Sequence, residues 1–255
     1  MILEQEDLGQ IKILRLNRPD ALGAMSRELL GELEAAVQAL TLAPPRAVIL
    51  TGTGRSFSTG ADLKERAGMS PAEVRDFLLR VGALFGRIES MPCPVLCAIN
   101  GFAFGGGLEL ALCADIRLAA EDAQMGLTET SLGIIPGAGG TQRLTRLIGP
   151  SKSRLLIFTA RKISAREAER FGIVDVVTSA EALMDTSVQL AEEIAKNAPI
   201  AVRQAKFAIN AATEVDLATG LAVERNAYEL TIPTKDRTEA LQAFREKRPP
   251  IFTGE

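Results

Sequence analysis

Apolar residues recur along this chain with two different periods, and the switches between them set out the elements. Ile11–Leu16 and residues 47–51 are short runs rich in Ile, Leu and Val, the signature of β-strands. Between them Ser26 stands where a helix N-cap belongs. Leu29, Leu30, Leu33, Val37 and Leu40 follow it at spacings of three and four, while Glu28, Glu32 and Glu34 mark the outer face. A second helix start is written at Ser70-Pro71-Ala72-Glu73: a capping serine, a proline at the first helical position and a glutamate that completes a capping box. The stripe Val74, Phe77, Leu78, Val81, Phe85 and Ile88 behind it reads as core rather than as a cofactor contact. Further strands are expected at 94–99 and 115–119, a shorter one near Met125, and a last strand-like run at 173–177. Helices are expected to start at Pro150-Ser151 and at Ser164. From 180 to 244 the period is helical, with breaks near Pro199, Val215 and Pro233. Strand, loop and helix thus repeat through the first part and helices alone fill the end. This predicts a mixed α/β core over 1–195 and a helical region over 196–255.

Composition narrows the chemistry. The 255 residues are 47% hydrophobic and 24% charged, enough for a sizeable core, and the net charge is −3, which argues against a nucleic-acid surface. No run of about eighteen apolar residues predicts a membrane span. The N-terminus MILEQEDLGQ does not read as a targeting peptide. Cys93, Cys97 and Cys113 lie in apolar runs without metal spacing, as reduced core cysteines of a cytoplasmic protein would. The chain has no histidine, so Ser-His-Asp, Cys-His and His-based metal chemistry are excluded, and carboxylates become the first candidates for proton transfer.

The stretch 100–141 carries the candidates. Gly105, Gly106 and Gly107 lead directly into LELALC, so a glycine run opens a helix. Such a helix start offers unpaired N–H groups at the positive end of the dipole, suited to an anion or a developing oxyanion. Glu109 falls in the first turn, and Glu129 follows twenty residues later, ahead of the glycine-rich turn Gly137 to Gly140. Two carboxylates beside backbone donors suit acid–base work on a carbonyl compound. Helix capping explains Glu109 equally well when it is taken alone. Upstream, TGTGRSFSTGADLKER lacks both phosphate-loop spacings. It reads either as a plain surface loop or as a second donor site, in which Gly60 allows a tight turn and Ala61 leaves its N–H open.

LNRPDALGAM, FSTGADLKE, NGFAFGGGLELALCADIRLA and MGLTETSLGIIPGAGGTQRLTRLIG, in that order, resemble the crotonase (enoyl-CoA hydratase/isomerase) superfamily. The tail AKFAINAATEVDLATGLAVERNAYELTIPTKDRTEALQAFREKRPP is similar to its methylglutaconyl-CoA hydratase branch. The resemblance implies a spiral of ββα units with a C-terminal helical region that packs trimers, often paired into hexamers. It implies an acyl-CoA thioester substrate, no metal and no cofactor beyond the CoA of the substrate itself. It assigns the oxyanion donors to Ala61 and Gly106, and the water-activating pair to Glu109 and Glu129. Isomerases of the family typically keep only the second acid or use others, so the presence of both implies a hydratase. It also places Asp20, Ala21, Leu22, Thr59, Gly60, Asp62, Leu63 and Lys64 along the CoA channel, and Gly137 beside the water. Tyr228, Phe244 and Lys247 come from the tail, in one arrangement from a neighbouring subunit, with Lys64 and Lys247 towards the CoA phosphates. One departure is Gly23, where the family usually has Asn.

Two rivals remain. One is a general short-chain enoyl-CoA hydratase or an isomerase. The other, of a different class, is an RNA-binding homologue such as the methylglutaconyl branch contains. RNA binding needs a basic stripe, and the first long helix has Arg27 and no lysine between Ser26 and Leu40.

Overall fold

Between residues 47 and 126, successive strands of the chain alternate between two sheets. In the computed structural model, which describes residues 1–255, the strands in chain order are β1 (Leu3–Leu8), β2 (Ile11–Leu16), β3 (Ala47–Gly52), β4 (Ser56–Ser58), β5 (Val95–Ile99), β6 (Phe102–Phe104), β7 (Ile116–Ala120), β8 (Gln124–Gly126), β9 (Ile163–Ser164) and β10 (Val176–Thr178). The large sheet has the order β1-β2-β3-β5-β7-β10, and the small one β4-β6-β8-β9. Only the β1/β2 and β8/β9 pairs are antiparallel. Three consecutive pairs, β3/β4, β5/β6 and β7/β8, therefore climb as a spiral, one strand per sheet per turn, in agreement with the ββα expectation. Asn100 ties two adjacent turns of the spiral together. Its Oδ1 accepts from the Gly52 N–H at 3.0 Å, and its Nδ2 donates to the carbonyls of Gly54 and Ser56 at 2.8 and 3.2 Å.

The helices begin where the sequence places its caps. The Ser26 hydroxyl accepts from the Leu29 N–H ahead of α1 (Arg27–Leu42). Asp62 caps the short α2 (Leu63–Ala67), and the Ser70/Glu73 box caps α3 (Pro71–Glu89). After α4 (Gly106–Ala111), α5 (Gly140–Thr159) is broken at Gly149 (φ 79°, ψ 161°), so a new helical segment does start at Pro150. Ser164 caps α6 (Ala165–Phe171). The tail holds α7 (Leu183–Ala195), α8 (Pro199–Ala212), α9 (Leu217–Glu229) and α10 (Lys235–Glu246), separated at the three breaks the sequence marks.

α7 packs across β2, β3, β5 and β7, while β4 contacts β3 and β5. Every residue of β3 and β5 is buried, which is why both read as unbroken apolar runs rather than alternating ones. α8 is tied to this core by Lys206, whose Nζ lies 2.8 Å from Asp115 Oδ2 and 3.0 Å from the Cys93 carbonyl oxygen. Further on, Asp236 accepts from the N–H groups of Thr253 and Gly254 at 2.7 and 3.0 Å and folds the chain end back onto α10.

Several elements differ from the sequence expectation, and the short β4, α2, β6 and β9 have no counterpart in it. β1 was not anticipated, because Leu3 is its only buried residue and the rest of this edge strand is exposed. The run at 173–177 contributes Ile173 and Val174 to the core, but sheet pairing starts only at Val176. The glycine turn at 137–140 continues into the first half of α5.

Candidate active site

β6 ends against Gly105, which turns the chain into α4 with φ 52° and ψ −126°. A Cβ at this residue would lie 3.2 Å from Glu129 Oε1, so the glycine lets the Glu129 carboxyl come up against the turn. The six-residue α4 then carries Glu109 into the interior, 3% exposed. There Glu109 Oε1 accepts from the N–H groups of Ala138 and Gly140, each at 2.8 Å. Arg143 secures this turn: it donates to the Ala138 carbonyl at 2.9 Å and is itself clamped by Glu89 at 2.7 Å. Glu129 opens a 3₁₀ turn, Glu129–Leu132, and is 8% exposed. Its Oε2 is buried without any hydrogen-bond partner.

Burial dominates the electrostatics of both acids. It raises the Glu129 carboxyl to about 7, with the Glu109 charge adding to the rise and a backbone N–H opposing it. Burial also raises Glu109, against the pull of the Gly140 and Ala138 N–H groups and of Arg143. A carboxyl that titrates near neutrality can either take or give a proton at physiological pH.

Two backbone donors border the same space. The parallel bridge between Met25 and Ala61 uses the Met25 N–H to the Gly60 carbonyl and the Asp62 N–H to the Met25 carbonyl. In that register the N–H of Ala61 points away from Met25. Gly106 is the first residue of α4, so its N–H has no acceptor within the helix. Gly60 (φ 87°) brings the two segments together: a Cβ there would lie 2.9 Å from the Gly106 nitrogen.

Ala61, Gly106, Glu109, Glu129 and Gly137 all line one cleft of about 1060 Å³. Its apolar lining comes from Val74, Phe77, Leu78 and Val81 on α3 and from Leu132, Ile134, Ile135 and Pro136. The α3 stripe read from sequence as core is therefore split. Phe85 and Ile88 are core, Phe77 and Val81 belong to the core and border the cleft as well, and only the half-buried Val74 and Leu78 are cleft wall alone.

Of the other sequence candidates, Thr59 and Leu63 line the cleft, and Gly60 is buried next to Gly106. Asp62 instead pairs with Arg18 at 3.0 Å and accepts from the N–H groups that open α2. Asp20 and Ala21 belong to the 3₁₀ turn Pro19–Ala21, and the Leu22 carbonyl accepts from the Thr59 N–H at 3.1 Å. These three flank the cleft segment without lining it. Lys64 is exposed on α2, and Tyr228, Phe244 and Lys247 are outside the cleft lining of the single chain. Sequence reasoning missed Arg66 and Lys162, both of which line the cleft, and Arg143. The LKER segment contains Arg66, but nothing in its spacing shows which way the guanidinium faces.

The sequence model of the enoyl-CoA hydratase/isomerase family matches residues 6–255. The chain belongs to that family. It is 47% identical to the human mitochondrial methylglutaconyl-CoA hydratase over 99% of this chain and 76% of that one. It is 52% identical to YngF of Bacillus subtilis, which carries a provisional enoyl-CoA hydratase/isomerase name, over 95% of this chain and 94% of the other. Among solved structures, an enoyl-CoA hydratase from Bacillus anthracis superimposes with a TM-score of 0.98 at 48% identity, covering 100% of both chains. The two-sheet spiral and the C-terminal helices are thus those of a family of enzymes that act on enoyl-CoA thioesters.

Proposed function

We propose that this family member is a hydratase, adding water across the 2,3 double bond of a 2-enoyl-CoA without a metal. The observation that carries this reading is the pair of buried carboxylates, Glu109 and Glu129, facing one cleft beside the Ala61 and Gly106 donors. With the thioester oxygen between those two N–H groups, charge that develops on it as an enolate is stabilised by dipoles already in place. A water held between the carboxylates loses a proton to one of them as its oxygen attacks C3, and C2 takes a proton from the pair. Gly137 lines the cleft, but Leu78 occupies the place its side chain would take, so the room for that water comes from the cleft itself.

The CoA part would run along the rim that holds Thr59, Leu63 and Lys64, over the Asp20–Ala21–Leu22 turn. Tyr228, Phe244 and Lys247 would complete it in a homotrimer or a pair of trimers. Support for assembly comes from the apolar side chains that the tail leaves exposed, among them Phe207, Leu221 and Tyr228. The three free, buried cysteines suit a reducing compartment such as the cytoplasm. No helix is long and apolar enough to cross a membrane. The 47% identity to the human methylglutaconyl-CoA hydratase supports a branched, carboxylated acyl group.

The test is loss of the enoyl thioester's ultraviolet absorbance with 3-methylglutaconyl-CoA against crotonyl-CoA. Hydration of both, with the carboxylated thioester preferred, is expected. A strong preference for crotonyl-CoA would favour a general short-chain hydratase. Isomerisation is the second reading, favoured by the Glu129 Oε2 that is buried without a partner. It requires 3-enoyl-CoA to be converted while 2-enoyl-CoA is not hydrated.

A further inference from the structure

Two cations line the cleft, Arg66 and Lys162, and each stands over an aromatic ring. Arg66 Cζ is 5.8 Å from the centre of Phe77, and Lys162 Nζ is 4.6 Å from the centre of Phe104. The acids around Arg66 are committed elsewhere. Asp62 is held by Arg18, Glu65 accepts from the Arg27 N–H, and Glu73 pairs with the Arg27 guanidinium. Arg143, the other arginine near the site, is closed off by Glu89.

The two free cations differ in surroundings. Lys162 is exposed, so water satisfies its ammonium. Arg66 is half-buried, and a guanidinium brings five N–H donors that need acceptors. Partial removal from water without a counter-charge is costly, and an anion arriving in the cleft removes that cost.

Its position also fits the acyl end of the substrate. The Phe77 ring beneath Arg66 belongs to the apolar wall on α3, and the next residue, Leu78, packs so closely on Gly137 that a Cβ there would lie 2.7 Å away. Gly137 leads into the turn that holds Glu109. The path from the Ala61 and Gly106 donors, past the glutamates and along this wall, is where carbons beyond C3 would lie.

We infer that Arg66 is the counter-cation for a carboxylate at the far end of the acyl group, and that it sets a preference for carboxylated over uncharged enoyl thioesters. The planar fork of arginine matches a carboxylate with two parallel hydrogen bonds, a geometry lysine lacks. This inference rests on the acyl-CoA reading above.

Glutaconyl-CoA and 2-pentenoyl-CoA test it, because they differ only in a carboxylate against a methyl at C5. Hydration kinetics of the full-length wild type, Arg66→Leu, Arg66→Lys and Lys162→Met give the ratio of kcat/KM for the two thioesters. The wild type is expected to favour glutaconyl-CoA by about tenfold or more, as expected of a desolvated charge pair. Arg66→Leu is expected to abolish that ratio mainly through KM, Arg66→Lys to keep part of it, and Lys162→Met to leave it unchanged. An unchanged ratio in Arg66→Leu, an equal loss for both thioesters, or a collapse in Lys162→Met instead would each overturn the assignment. Calorimetry with the unreactive glutaryl-CoA and pentanoyl-CoA separates it from the hydratase reading. Arg66-dependent preference for glutaryl-CoA in a protein that hydrates neither enoyl thioester keeps the carboxylate site and defeats hydration. No such preference defeats the carboxylate site, whatever the kinetics.

Discussion

Glu109 and Glu129 face the same cleft under opposite constraints: Glu109 Oε1 is fixed by two backbone N–H groups at 2.8 Å, while Glu129 Oε2 is buried with no partner at all. A fixed acceptor and a free one are what a single water needs to be both aimed and deprotonated. Glu→Gln keeps the shape and removes proton transfer. Each single change is expected to lower kcat for hydration by roughly 10²–10⁴, the range for losing a general acid or base. The double variant is expected to be little worse than the poorer single one, because groups that act as a unit are not additive. Steady-state hydration and 3-enoyl isomerisation are the readouts, with CoA affinity as the control. Near wild-type hydration by Glu109→Gln would assign the chemistry to Glu129 alone, as in an isomerase.

The Glu129 carboxyl also makes stability depend on pH. Its value rises from 4.5 to about 7 on folding, with burial as the main cause. Between those values the folded state binds the extra proton, so the favourable contribution is complete below about 4.5 and is lost as pH rises through 7. Above that point the ionised, buried carboxylate costs roughly 3 kcal/mol, at 1.36 kcal/mol per unit. Glu129→Gln is therefore expected to melt above wild type at pH 8, with the difference shrinking towards pH 5. Thermal melts at both values decide this. A variant that melts lower than wild type at pH 8 contradicts the burial account.

How much of this was legible in the sequence depends on the distance over which each contact acts. Helix starts at Ser26, Ser70 and Ser164 could be read because a cap bonds only three residues ahead. Gly105 to Gly107 and Glu109 were legible for the same reason: a glycine turn and a first-turn acid are neighbours in the chain. The partners of Glu109 were not, since Ala138 and Gly140 lie 29 and 31 residues away, and the turn that holds them looked like any glycine-rich loop. β1 escaped because an edge strand with one inward residue has no alternation to detect. The α3 stripe reads as core along its whole length because an apolar wall of a cleft and a core face share one periodicity; only the empty space beside Val74 and Leu78 tells these two apart from the core members.

The attachment of the tail can be tested through Lys206. This lysine is 8% exposed and bonds both Asp115 and the Cys93 carbonyl, joining α8 to the residues just ahead of β5 and β7. Asp115 also accepts from the Val95 N–H at 2.7 Å, so its carboxylate is committed to the core. Lys206→Met fits the aliphatic space but leaves that carboxylate without its cation. Breaking a buried pair on one side typically costs about 3–5 kcal/mol. Urea unfolding is expected to show a loss of that order, and Asp115→Asn added to Lys206→Met is expected to recover part of it. A loss below about 1 kcal/mol would mean that the pair is solvated and holds little.

The oxyanion assignment can be tested without touching either donor. Gly60 lies between them with φ 87°, and a Cβ there would come within 2.9 Å of the Gly106 nitrogen and 3.0 Å of the Phe104 carbonyl oxygen. Both contacts are to backbone, so Gly60→Ala can be accommodated only if the Ala61 and Gly106 segments move apart. Loss of one oxyanion donor typically lowers kcat by about 10²–10³, and Gly60→Ala is expected to fall in that range. The unfavourable φ adds a stability cost of order 1–3 kcal/mol. Gly82→Ala separates the two effects, because Gly82 is inside α3 with open space around its Cβ position. It is expected to gain roughly 0.5–1 kcal/mol of helix stability with unchanged kcat. Measured well below its melting temperature, a folded Gly60→Ala with wild-type kcat would show that the spacing of these two N–H groups does not govern the reaction.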